Sequence, residues 1–137
     1  MDFNTCLKLG KVKRAEINTI RAKSMVKFHS QAIETAKIIP LDNNTSKTIF
    51  RELYEGLREF IEAIGYLKGY KFLDHISITY FLKEILKEES ISIKFDRYRK
   101  IRNGINYYGE DLNLETAKEA LKQIPEIISK LKRYEEI

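Results

Sequence analysis

The side chains best suited to chemistry lie in the stretch YRKIRNGINYYG, residues 98–109. Its guanidinium, amide and phenol groups can bind phosphate oxygens and base edges. They do not form an acid–base pair at neutral pH, because guanidinium and phenol both titrate far above it. In a helix, at about 100° per residue, they sweep one side. We call this set the polar arc, and it consists of Arg99, Arg102, Asn103, Asn106 and Tyr107.

The polar arc exists only if this stretch is a helix, yet Asn103-Gly104 is a strong two-residue hairpin signal. A hairpin there would pair Arg102 with Ile105, so neither face would be cleanly apolar. The helical alternative is favoured because the apolar residues then share one side. Gly104 would cost about 1 kcal/mol relative to Ala and would let a neighbouring helix approach, and Gly109 would end the helix. The shared apolar side carries Phe95, Tyr98, Ile101, Ile105 and Tyr108.

Spacing also predicts which members of the polar arc touch. Asn103 and Tyr107 are four residues apart and are predicted neighbours. Arg102 and Tyr107 are five apart, so they are predicted to flank the arc without touching.

The chain has two histidines, and neither lies in the polar arc. His29 falls on the apolar stripe of the first long helix, where it is either a core or interface histidine or a side chain that approaches the arc. His75 stands beside a helix start and is interpreted as a surface or capping residue. Their wide separation, without a carboxylate motif, predicts no metal site. The chain has no phosphate loop and no nucleophile–histidine–acid motif, so no cofactor is predicted.

Helical periodicity dominates the rest of the chain. It predicts long helices over residues 11–39, 48–67 and 113 to about 135, and a short helix capped by Asp74. Thr45 or Ser46 is the predicted cap of the second long helix, whose end is marked by Gly69. No segment alternates over strand length. The predicted fold is therefore all-α, an antiparallel up-and-down four-helix bundle with an additional short helix.

Length and composition indicate one soluble domain. The chain has 137 residues, of which 43% are hydrophobic, so a single domain over 1–137 is expected, with residues 1–10 as a flexible terminus. The one cysteine, Cys6, excludes an internal disulfide and a cysteine zinc site. No apolar run approaches the roughly 18 residues of a membrane span, so we expect a cytoplasmic protein without membrane contact.

Positive charge is concentrated in two parts of the chain, whose formal net charge is +5. Residues 1–30 contain seven lysines and arginines against Asp2 and Glu16. Residues 94–102, KFDRYRKIR, contain five basic residues against Asp96. Basic clusters favour a polyanionic partner, and the alternative is an ordinary solvated helix surface.

Two segments resemble the HEPN-domain family, in particular its small archaeal members. They are ELYEGLREFIEAIGYLKGYKFLDH and YRKIRNGINYYGEDLNLETAKEALKQIPEIISKLK. The resemblance covers the chain from about residue 45 onward, and the 11–39 helix takes the place of that family's first helix. It implies an all-helical, commonly dimeric domain, so a homodimer is expected. Many members are metal-independent ribonucleases with an Arg-Asn-x-x-x-His motif.

Carried onto this chain, the motif marks Arg102, Asn103 and Tyr107 as candidate catalytic residues, with Tyr107 at the histidine position. Tyrosine is a poor base near pH 7, so the resemblance favours binding over turnover. A related branch transfers a nucleotide onto a tyrosine; that position is Gly109 here, with Tyr107 and Tyr108 nearby.

The resemblance thus implies a catalytically degenerate RNA- or nucleotide-binding protein with a regulatory or antitoxin-like role. The alternatives are an endoribonuclease toxin with a variant site and a substrate-binding partner of a minimal nucleotidyltransferase. The ligand-binding candidates are the polar arc and Tyr108, with His29 as a further contributor.

Overall fold

The computed structural model describes residues 1–135, and within them six α-helices accompany one two-stranded sheet. Four of the helices are long, and the predicted all-α bundle is confirmed. None of these helices is long and apolar enough to cross a membrane. The elements in chain order are α1 (Phe3–Lys8), β1 (Val12–Arg14), α2 (Thr19–Ile38), α3 (Ser46–Lys68), β2 (Tyr70–Phe72), α4 (Ile76–Tyr80), a π-helical turn (Phe81–Ile85), α5 (Glu89–Tyr108), α6 (Leu114–Leu131) and a 3₁₀ turn (Lys132–Tyr134).

Helix α3 lies at the centre of the bundle and contacts α2, α5 and α6. Its apolar side chains recur at spacings of three and four, as the sequence predicted, and those from Ile49 to Ile64 are buried. The helix ends at Gly69, whose φ of +86° is the left-handed conformation that glycine adopts without strain. The core-facing side chains include Ile49, Leu53, Leu57, Phe60, Ile61 and Ile64.

Gly56 allows α2 and α3 to approach closely. A Cβ atom at Gly56 would lie 2.7 Å from Ile33 Cδ1 and 3.2 Å from the His29 carbonyl oxygen, both on α2. A methyl group here would displace the Ile33 side chain and press on the His29 carbonyl oxygen, so glycine allows the two helices their close spacing.

The helix predicted over residues 11–39 begins only at Thr19, because a short strand precedes it. Residues 12–14 form β1, which pairs antiparallel with β2, and Val12 is its buried residue. Asn18 then caps α2, since its Oδ1 accepts the Arg21 amide at 2.9 Å. The helical prediction failed here because Val12, the one buried apolar residue of this segment, is buried by the pairing of β1 with β2, a strand distant in sequence.

The first ten residues, expected to be a flexible terminus, contain α1. Asp2 Oδ1 accepts the Thr5 amide at 2.8 Å and starts the helix. Phe3 and Cys6 are buried, and the Phe3 ring meets the Tyr70 ring edge-on at 5.1 Å between centroids. Helix α1 therefore contributes to the core.

Neither Thr45 nor Ser46 caps α3 through its side chain, contrary to prediction. The Thr45 hydroxyl instead donates to the Pro40 carbonyl at 2.6 Å and accepts the Asp42 amide at 2.9 Å. Asp42 Oδ1 accepts the amides of Asn44 and Thr45. The hydroxyl is thus used to close the loop between α2 and α3.

Helix α5 runs through Asn103-Gly104, so the helical interpretation of this dipeptide is confirmed and the hairpin is excluded. The helix ends at Gly109 in the left-handed conformation, with φ of +63°. Helix α6 follows Asn113, whose Oδ1 accepts the Thr116 amide at 2.8 Å. The short helix after Asp74 is also present, and Asp74 Oδ1 accepts the Ser77 amide as predicted.

We predict that Gly56→Ala destabilises the fold by about 1–3 kcal/mol, because the added methyl overpacks the contact with Ile33. Helix propensity alone would predict a gain of about 1 kcal/mol. Urea unfolding measures the difference. Ile33→Val removes the nearest atom, so the double variant should lose less than the sum of the two single losses. A stabilised Gly56→Ala protein would contradict the close contact.

Candidate functional site

An open pocket of about 430 Å³ lies between α5 and the segment that leads from β2 into α4. The polar arc contributes four of its five members, all except Asn106, from one wall. The opposite wall comes from the chain between the sheet and α4. The lining residues are Leu73, Asp74, His75, Ile76, Arg99, Arg102, Asn103 and Tyr107.

Arg102 is held in this pocket by neutral groups. Its Nη1 donates to Asn103 Oδ1 at 3.3 Å and to the Tyr107 hydroxyl at 3.2 Å. The guanidinium carbon lies 5.5 Å from the centre of the Tyr107 ring and 6.0 Å from that of Tyr54. Within residues 1–135, no carboxylate oxygen lies within 4.0 Å of its nitrogens.

The predicted separation of Arg102 and Tyr107 was wrong, because the two side chains touch. Five residues separate them on α5, and the long arginine side chain reaches along the helix to the phenol. Spacings of three and four mark neighbours on a helix, and here the arginine also reaches a phenol five positions away.

The other arginines of the basic cluster at residues 94–102 are paired. Arg99 donates from Nε and Nη2 to Asp96 Oδ1 at 3.0 and 2.8 Å, and Lys100 pairs with the same carboxylate. Burial alone would raise the pKa of Asp96, but the hydrogen bonds from Arg99 and Lys100 outweigh it and lower that pKa. Arg97 makes a two-pronged pair with Glu119. Of these three arginines, only Arg102 has no carboxylate partner among residues 1–135.

His75 holds the N-cap position of α4, as one of its two interpretations predicted, but its half-buried side chain makes no capping hydrogen bond and lines the pocket. A hydrogen bond of 2.8 Å joins its Nδ1 to the Tyr54 hydroxyl, and their ring centres are 5.7 Å apart. Burial, reinforced by the positive charges of Arg58 and Arg102, lowers the pKa of His75 to about 4. Burial likewise raises the pKa of Tyr54. Both groups are therefore neutral at pH 7.

No spacing signal in the sequence connects His75 with the polar arc, because it belongs to another element. Its neighbour Asp74 takes the capping role and also pairs with Lys11 at 3.0 Å. The pairing of β1 with β2 turns the chain so that His75 faces α5. Tyr54, counted in the sequence as part of the apolar stripe of α3, was missed for the same reason.

The remaining candidates lie outside the pocket. Asn106 and Tyr108 are exposed to solvent on the last turns of α5 and do not line it. His29 is buried between α2 and α3, with its ring 4.7 Å from that of Phe60. It therefore does not approach the polar arc. Its Nδ1 has no hydrogen-bond partner among the described residues, so it is not a satisfied core histidine either.

Gly104 of α5 was predicted to let a neighbouring helix approach, but its role in the structure is different. The amides of Gly109 and Glu110 both donate to its carbonyl oxygen, which closes the end of α5. The Glu110 carboxylate lies against the Gly104 Cα, in the space that a side chain would fill. The close neighbour is thus the returning chain and not another helix.

The arrangement suits an anion. One unbalanced guanidinium, an amide, a phenol and a neutral imidazole converge on an open cavity, and each can donate a hydrogen bond to phosphate oxygens. Over residues 1–135, no three His, Cys, Asp or Glu side chains cluster as metal ligands would.

The chain was compared with models of protein families, with curated proteins and with solved structures, and none of the three comparisons finds a match.

We predict that the protein loses stability as the pH falls from about 6.5 to about 4. An unfolded histidine binds its proton below about pH 6.5, whereas burial lowers the pKa of both His75 and His29 to about 4. Between pH 6.5 and 4 the unfolded chain binds more protons than the folded protein. The free energy of unfolding therefore decreases as the pH decreases. Urea unfolding at several pH values measures it.

The variants His75→Gln and His29→Leu separate this effect from carboxylate titration. Each removes one titrating imidazole and should flatten the curve between pH 6.5 and 4. His29→Leu should also cost little at pH 7, because it removes a polar atom that has no partner. Curves parallel to wild type would show that the histidines titrate normally in the folded protein.

Proposed function

We propose that this chain is a HEPN-like RNA- or nucleotide-binding protein whose ligand places a phosphate against Arg102. The observation that carries the proposal is the unbalanced guanidinium in an open pocket. A half-buried charge is costly when no opposite charge accompanies it. A bound phosphate would supply that charge.

The groups around Arg102 support a phosphate better than a carboxylic acid or a neutral ligand. A guanidinium can donate hydrogen bonds to two phosphate oxygens at once. Arg102 now donates to the neutral oxygens of Asn103 and Tyr107, which an anion can replace as acceptors. Tyr107 is 68% exposed, so its ring is available for stacking against a base. These features favour a ligand that carries both phosphate and base.

Binding without turnover is the expected activity. The family's histidine position is occupied by Tyr107, a poor base near pH 7. His75 shares the pocket, but its pKa of about 4 makes it a weak base as well. A site that binds RNA without cleaving it fits a regulatory or antitoxin-like component.

We predict that Arg102→Ala weakens binding of single-stranded RNA about tenfold or more, the cost of a lost charge-assisted contact. The slope of log affinity against log salt should fall by about 0.7, the value for one phosphate contact on a single strand. Arg102→Lys should recover only part of the affinity, because an ammonium lacks the planar fork. Fluorescence anisotropy across a salt series measures both quantities.

Arg97→Ala is the matched control. It removes the same charge from the same helix, but Arg97 pairs with Glu119 and does not line the pocket. Equal losses for the two variants would show a general effect of net charge and would refute the Arg102 site.

A second candidate, a metal-independent endoribonuclease, is favoured by the presence of His75 beside Arg102 in one pocket. In this reaction the 2′-hydroxyl gives its proton to a base and attacks phosphorus. The bond from phosphorus to the 5′-oxygen breaks, and that oxygen takes a proton. His75 is the residue able to accept or return such a proton, provided that a bound phosphate raises its pKa.

We expect wild-type protein to leave single-stranded RNA intact in EDTA at pH 7, as electrophoresis of labelled RNA would show. His75→Gln keeps a hydrogen-bond donor and Tyr107→Phe keeps the ring for stacking, so each should lose much less RNA affinity than Arg102→Ala. Robust cleavage by wild type, reduced roughly 100-fold or more by His75→Gln, would put the ribonuclease first. A similar loss in Tyr107→Phe would assign the proton transfer to the phenol.

A further inference from the structure

The two-stranded sheet brings two positive charges together at one point. Lys13 on β1 and Lys71 on β2 are directly opposite each other in the register, and both are exposed. Like charges in this arrangement destabilise a sheet. Neither lysine has a carboxylate oxygen within 4.0 Å among the described residues, unlike Lys11 of the same segment, which pairs with Asp74.

A second depression, of about 530 Å³, adjoins this pair and contains Lys71. Arg21, at the start of α2, contributes a guanidinium that also lacks a carboxylate partner within residues 1–135. Asn18 and Tyr66 contribute an amide and a phenol, and Glu16 is the one acidic residue of the lining. These are again groups that bind phosphate oxygens and base edges.

The same segment of chain joins this depression to the Arg102 pocket. Leu73 follows directly after β2 and lines that pocket, and the amides of Leu73 and Asp74 donate to the Lys11 carbonyl at 2.9 and 3.2 Å. Lys71 and Leu73 are both exposed, while Phe72 between them is buried. The backbone from Lys71 to His75 spans at most about 13 Å.

We propose that the outer face of the sheet, carrying Lys13 and Lys71, together with Arg21, extends the Arg102 pocket into a track for a single strand of nucleic acid. This inference rests on the proposed function and specifies that the ligand is a polynucleotide and not a mononucleotide. One phosphate lies at Arg102, and the next phosphates along the strand pass over the lysine pair. Tyr107 at one end and Tyr66 at the other offer aromatic rings on which bases stack.

An anionic membrane is the competing partner for this surface. Ile17 and Ile20 are 66% and 82% exposed and lie in the chain between Lys13 and Arg21. The continuity of the surface with a concave pocket that holds an unbalanced guanidinium favours nucleic acid, because a flat bilayer cannot enter that pocket.

The test compares two double variants of the full chain. Lys13→Gln with Lys71→Gln removes the opposed pair. Lys122→Gln with Lys130→Gln removes two exposed lysines of α6 that also lack a carboxylate partner among residues 1–135. The probes are a labelled oligouridylate of about twelve nucleotides, AMP, and vesicles containing anionic lipid.

We expect wild type to bind the oligonucleotide more tightly than AMP. The Lys13/Lys71 variant should lose several-fold affinity for the oligonucleotide, and its salt slope should fall by about 1.4, which is two single-strand contacts. Its affinity for AMP should not change, because AMP occupies only the pocket. The Lys122/Lys130 variant should match wild type with both probes.

If the two double variants bind the oligonucleotide with equal affinity, the proposed track is refuted, whatever their affinity for AMP. Vesicle binding that depends on Lys13 and Lys71, without oligonucleotide binding, would assign the surface to membranes and overturn it too. If Arg102→Ala leaves the affinity for AMP unchanged, the pocket is refuted as a phosphate-binding site. The two failures are therefore distinguishable.

Discussion

Tyr54 is the residue on which the pocket depends, because it connects the core of the bundle to the candidate site. Its side chain is fully buried in α3, and its ring stacks on that of Phe95 of α5 at 5.6 Å. Its hydroxyl bonds His75, and its ring lies under the Arg102 guanidinium. One core residue thereby contacts two polar groups that come from different elements. The burial of each group raises the pKa of the Tyr54 phenol and lowers that of the His75 imidazole, so both are neutral at pH 7.

The arginines of α5 differ in whether a carboxylate balances their charge. Arg58 is tied to Glu55 and Glu62 on α3, and Arg97 is tied to Glu119 across α5 and α6. Such pairs contribute little individually to stability, but they leave no charge for a ligand. Arg102, by contrast, has only neutral partners among the described side chains. The basic stretch at residues 94–102 is therefore paired at Arg97, Arg99 and Lys100, and Arg102 is its arginine without a carboxylate partner among the described residues.

The helices were the predictable part of the fold, because each is encoded by a local repeat of apolar residues. The periodicity located α3, α5 and α6 and chose helix over hairpin at Asn103-Gly104. It misassigned residues 11–18, because the sheet there pairs segments distant in sequence. It also missed α1, whose burial depends on contacts of Phe3 with residues far along the chain.

The sequence by itself determined that Arg99, Arg102, Asn103 and Tyr107 share one side of a helix, since a period of 3.6 residues is a local property. Only the tertiary structure decided what that side faces. It brought His75 to Arg102, left Asn106 and Tyr108 outside the pocket, and buried His29 away from it. It also set Lys13 opposite Lys71. These relations depend on contacts between elements that are far apart in the chain, and no spacing within one element encodes them.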